Sequence, residues 1–140
     1  MASKLFPTGV RLTDTADILA CDNYVVTALN ATAGTLPANV ITGGSVTVCI
    51  TTNATPGTQT TRTAAQMYGD DPGAAIGGGY LLRICNSGAG TLTLAGGSGV
   101  TVTGTATVAT NTFRDFVVNY SGTTAAPAVT ITNVGLGTYT

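Results

Sequence analysis

The sequence predicts an all-β fold, a jelly-roll-like β-sandwich of about eight strands, with one short helix near 62–68 and an extended N-terminal arm. Three observations carry this expectation. Thr is the signature residue, 29 of 140, beside 19 Gly. Thr is β-branched, favours strands and faces water from a sheet without a charge, while Gly supplies turns. Apolar residues alternate with polar ones in many short segments, the period of a half-buried strand. Turn-forming clusters separate those segments at short, even spacing. The chain has one Lys and no Glu, which leaves little material for long helices.

Residues 1–20 differ from the rest. They hold Lys4, Phe6, Pro7 and Arg11, then Asp14 and Asp17, with little alternation. They read as an arm ahead of a single domain at 21–140, a length that buries a substantial core. Strands are expected at 23–29, at 40–41 and at 45–52, where Val46, Val48 and Ile50 face one way. Segments 31–38 and 53–60 read as loops, the second carrying Pro56-Gly57. Thr61 or Thr63 can cap a helix through Ala64, Ala65, Gln66 and Met67, ended by Gly69-Asp70-Asp71-Pro72-Gly73. Further strands follow at 80–86, 91–95, 100–103, 105–108, 112–120 and 128–134, with Gly104 as a bend and 135–140 as a tail.

The residue inventory narrows the chemistry. Without His there is no Ser–His–Asp or Cys–His catalysis, and with no Glu the carboxylates are six Asp. Asp70 and Asp71 are adjacent and read as turn and cap residues, unable to bracket a sugar. Gly77-Gly78-Gly79 and Gly96-Gly97-Ser98-Gly99 lack the Lys-Ser/Thr of a phosphate loop. Cys21, Cys49 and Cys85 form no CxxC pair and read as small buried apolar residues; a Cys49–Cys85 disulfide is the alternative, against which folding in a cytoplasm argues. No enzyme activity and no cofactor or metal are expected. The five cations are dispersed and the net charge is −1, so no nucleic-acid partner is expected. Residues 1–19 lack the apolar core of a signal peptide, and no run approaches a membrane span, so the expectation is folding in a cytoplasm with no membrane partner.

Only 8% of residues are charged although 44% are apolar, so the surface is weakly self-repelling. Several strands are partly apolar on both faces, and a sandwich needs only one such face. Both features suit a part that packs against neighbours. Arg83 and Arg114 lie inside strand patterns, where they serve subunit contacts or a solvated outer face.

Residues 61–134 have a definite cadence. Ala64-Ala65-Gln66 precedes a strand near 79–86, and Gly88-Ala89-Gly90-Thr91 leads into Leu92-Thr93-Leu94. Gly99-Val100-Thr101-Val102-Thr103-Gly104, an aromatic strand from Phe113 to Tyr120, and Val129-Thr130-Ile131 complete it. This stretch, just over half of the chain, resembles small capsid decoration (cement) and head-fibre proteins of tailed bacteriophages. The resemblance implies a jelly-roll-like domain, a homotrimer on the outer capsid surface of the virion, clamping neighbouring major capsid proteins and carrying no catalytic residues. Contacts with capsid or subunits are then expected along residues 1–12, at Lys4, Leu5, Phe6 and Arg11, with Arg83 and Arg114 as further candidates. The alternative is a head-fibre or tail-fibre module that binds a host surface, with Tyr68, Tyr80 and Tyr139 as its aromatic candidates.

Overall fold

The computed structural model describes residues 24–29, 33–36, 45–50, 56–71 and 73–138. Among them are ten strands and one helix. In chain order these are β1 (Tyr24–Leu29), β2 (Gly34–Thr35), β3 (Ser45–Ile50), β4 (Gly57–Thr60), α1 (Ala64–Asp70), β5 (Gly79–Asn86), β6 (Leu92–Ala95), β7 (Val100–Thr103), β8 (Thr107–Val108), β9 (Thr112–Tyr120) and β10 (Val129–Thr138). They form a six-stranded sheet in the order β1-β3-β5-β9-β10-β7 and a four-stranded sheet in the order β2-β4-β6-β8.

The all-β class holds, but the connectivity is not that of the expected jelly roll. From β1 to β9 each successive strand lies in the other sheet. β1, β3 and β5 run parallel side by side, and so do β2, β4 and β6. This part of the chain therefore winds as a coil that adds one strand to each sheet per turn. Antiparallel pairing begins later, where β8 joins β6 and β9 lies between β5 and β10. β7 closes the edge parallel to β10. A jelly roll is antiparallel, whereas five of the eight described pairings are parallel. The reason is physical: alternation specifies which face is buried, not which strand lies alongside.

Most elements fall where the sequence puts them. Two segments read as loops carry strands, β2 and β4, and β10 runs through most of the expected tail to Thr138. The arm at 1–20 and the short strand at 40–41 lie outside the described residues. Gly104, at φ +83°, marks the expected bend between β7 and β8.

One core joins the two sheets. β5, β9 and β10 contribute Leu82, Ile84, Phe116, Val118, Tyr120, Val129 and Ile131; Leu36, Leu92, Leu94 and Val108 face them. Each such side chain contributes about 1.5–3 kcal/mol on burial. α1 adds Ala64, Met67 and Tyr68, the i, i+3, i+4 stripe of an amphipathic helix. Thr63 caps it: its Oγ1 accepts from the Gln66 N–H at 3.2 Å, and the Gln66 side chain accepts from the Thr63 N–H at 3.1 Å. Asp71, at the other end, donates its N–H to the Met67 carbonyl at 3.1 Å.

Two polar residues anchor the crossings between sheets. Asn86, buried at the end of β5, donates from Nδ2 to the carbonyls of Gly90 (2.7 Å) and Val108 (3.0 Å). Its Oδ1 accepts from the Gly88 N–H at 3.0 Å, and its backbone carbonyl accepts from the Asn111 N–H at 2.8 Å. Thr61 accepts the Gly97 N–H on Oγ1 at 2.9 Å while donating its own N–H to the Ala95 carbonyl at 2.9 Å. The contact is so close that a Cβ on Gly97 would stand 2.6 Å from the Thr61 carbonyl oxygen. Gly97→Ala should therefore cost about 1–3 kcal/mol in urea denaturation. Gly69→Ala, in α1 with nothing within 4 Å of the added Cβ, should stabilise by up to about 1 kcal/mol.

Candidate functional site

The inner alternation fixes what the other face presents. With Tyr80, Leu82, Ile84 and Asn86 buried on β5, the residues between them, Leu81, Arg83 and Cys85, stand on the outer face of the six-stranded sheet. On β9 the same argument places Phe113, Asp115 and Val117 there. The antiparallel register sets these in three rows: Leu81 opposite Val117, Arg83 opposite Asp115, and Cys85 opposite Phe113.

The middle row is ionic and self-contained. Arg83 Nε lies 2.7 Å from Asp115 Oδ1 and Nη2 lies 2.9 Å from Oδ2, a two-pronged pair. The guanidinium carbon lies 4.1 Å from the Phe113 ring centroid, so the cation also stacks on an aromatic face. The pair is partly exposed and contributes about 1 kcal/mol or less to stability. Its larger effect is to leave the face with no net charge. Leu81 and Val117, 40% and 42% exposed, then form a small apolar ridge beside a neutral row. Thr132 of β10 borders Val117 on the other side.

The sequence-predicted candidates separate into three groups. Arg83 lies on this outer face. Arg114 shares the inner row of Phe116, and its Nε–H donates to the Thr107 carbonyl, tying β9 to the approach to β8. Lys4, Leu5, Phe6 and Arg11 lie outside the described residues. Asp115 was not singled out as a site residue. It neighbours Arg114 in sequence, and only the β5·β9 register reveals that its partner is Arg83.

Two of the three aromatic candidates are not surface groups. Tyr68 and Tyr80 are both buried, and Tyr139 lies outside the described residues. Tyr68 and Tyr80 flank Tyr120, with ring centroids 4.9 and 6.4 Å from it. The Tyr68 hydroxyl donates to the Gly122 carbonyl at 2.6 Å, and the Tyr120 hydroxyl to Asp71 Oδ2 at 2.7 Å. Asp71 Oδ1 also accepts from the Gly73 N–H at 2.9 Å, while Asp70 pairs with Arg62 at 2.6 Å. Asp71 thus does the turn and cap work expected of it, whereas Asp70 is held in an ion pair with Arg62. Among the described residues no group of three metal-ligating side chains occurs, and no helix is long and apolar enough to cross a membrane.

No family model, curated protein or solved structure matches this chain.

Burial is the main cause that pushes the Tyr80 and Tyr120 phenols far above their ordinary range; for Tyr80 the Asp71 charge adds to it, and for Tyr120 the hydrogen bond to Asp71 does. Below the ordinary phenol value of about 10, folded and unfolded chains both keep these protons, so stability does not vary on their account. Above it the unfolded chain releases them and the folded chain does not, so stability falls as pH rises. In an absorbance titration at 295 nm, Tyr80 and Tyr120 should stay silent until the fold is lost, and Tyr120→Phe should remove one of the masked phenols.

Proposed function

We propose that this chain is a structural virion protein, a capsid decoration (cement) protein of a tailed bacteriophage. It binds the outer surface of the head as a homotrimer and stabilises contacts between major capsid proteins. The observation that carries the reading is the outer face of the six-stranded sheet, where Leu81 and Val117 stand exposed beside an Arg83–Asp115 pair that cancels its own charge. Leu81 and Val117 gain by leaving water, and a face without net charge repels no neighbour. The strand and turn cadence of residues 61–134 supports the same reading. The jelly-roll label is not part of the proposal, because the winding is largely parallel.

The mechanism is mass action. A protein that binds only the assembled shell stabilises that shell. Three linked copies turn a weak contact into a durable one through effective concentration. In this account the sheet face supplies one contact, and the arm at residues 1–12, through Lys4, Leu5, Phe6 and Arg11, supplies another along the capsid or a neighbouring subunit. The reading is non-enzymatic and needs no cofactor. The fibre alternative asks for exposed aromatics around a groove, and the burial of Tyr68 and Tyr80 withdraws two of its three candidates.

The experiment is co-sedimentation with undecorated capsids of the encoding phage. Leu81→Asp with Val117→Asp should weaken capsid binding at least ~10-fold, since each buried charge costs about 1 kcal/mol or more. The circular dichroism spectrum should be retained, because both positions are outward. Deleting residues 1–12 should weaken binding while leaving the oligomer folded. Normal decoration by both variants would overturn the proposal.

A further inference from the structure

The sheet register brings two cysteines together. β3 and β5 are parallel neighbours, and their register pairs Cys49 with Cys85. Cys85 is half-buried on the outer face of β5, next to the row formed by Arg83 and Asp115. Adjacent strands lie about 4.8 Å apart, inside the Cα window of about 4.4–6.8 Å that a disulfide spans. Register partners of a parallel ladder occupy one face of a sheet, so the pairing needs no strand rotation.

We propose that Cys49 and Cys85 are a redox couple, a thiol pair that converts reversibly to a disulfide stapling two successive turns of the winding. The oxidant is a small-molecule disulfide of the oxidised-glutathione class. The thiolate of Cys85 attacks one of its sulfurs, forms a mixed disulfide and releases one small thiolate. The thiolate of Cys49 then attacks the Cys85 sulfur, forms the intrachain bond and expels the second. The two protons lost by the protein thiols pass through solvent to the two small thiolates released. Two protein sulfurs are oxidised and one small disulfide is reduced, so electrons balance. The closed loop contains β4 and α1, so the bond restrains the helix-bearing crossover between the sheets. This inference goes beyond the capsid reading and does not depend on it.

The test uses the full chain carrying Cys21→Ser, so that the remaining thiols are those of the pair. Incubation with oxidised glutathione, then thiol titration in denaturant, should show both thiols lost. Peptide mapping should show Cys49 linked to Cys85 within one chain, and the melting temperature should rise by a few degrees, as expected for a loop of this size. A dithiol reductant should restore both thiols. In the wild-type chain, of three cysteines, one thiol should remain titratable. Unchanged thiols, glutathione adducts without an intrachain link, a link between chains, or a link through Cys21 in the wild type would each overturn the couple.

Discussion

Asn86 holds the two sheets in relation to each other. Its side chain meets the turn after β5 and the end of β8, and its backbone carbonyl receives Asn111 at the start of the turn into β9. A chain that changes sheet after almost every strand must bring polar backbone through the edge of an apolar core at each crossing. An unmet buried group there costs about 1–3 kcal/mol. One buried amide that donates twice and accepts once meets several of these demands together. At another crossing Thr61 and Gly97 do the same through a contact that leaves no room for a side chain.

The winding then dictates the surface. Once Leu82, Ile84, Phe116 and Val118 are committed to the core, strand alternation sends Leu81, Arg83, Cys85, Asp115 and Val117 outward. Among the described residues, the β5·β9 register couples the one cation of that face to its one anion and puts Leu81 beside Val117. The exposure and neutrality of that face are thus consequences of the packing behind it. The tyrosine cluster shows the reverse case. Tyr68 and Tyr80 look like recognition residues in a list of aromatics, yet with Tyr120 they hold α1 and the segment at Gly122 against the core.

How much of this was legible in the sequence follows from the range of each interaction. Local signals are readable: Thr61 or Thr63 ahead of Ala64-Ala65-Gln66-Met67 marks the helix start, Gly104 the bend, and the alternation of β5 and β9 their two faces. Non-local facts are not. Nothing in the composition distinguishes a turn that folds β6 back beside β5 from one that carries it to the other sheet, so the parallel winding was missed. Pro56-Gly57 and the polar residues of β4 have the composition of a loop, although Gln59 is buried. The Arg83–Asp115 pair needed a strand register. The signal for Asn86 was present, an Asn ending an apolar strand before Ser-Gly, but turns offer many such residues.

We propose the outer face of the six-stranded sheet as an assembly surface on a phage head. A density map of the intact virion tests it most directly. The account predicts trimers on the outside of the shell, with Leu81 and Val117 covered by protein at every copy. A map that places the chain at the tail or nowhere in the particle, or that shows this face open to solvent in decorated heads, would contradict it.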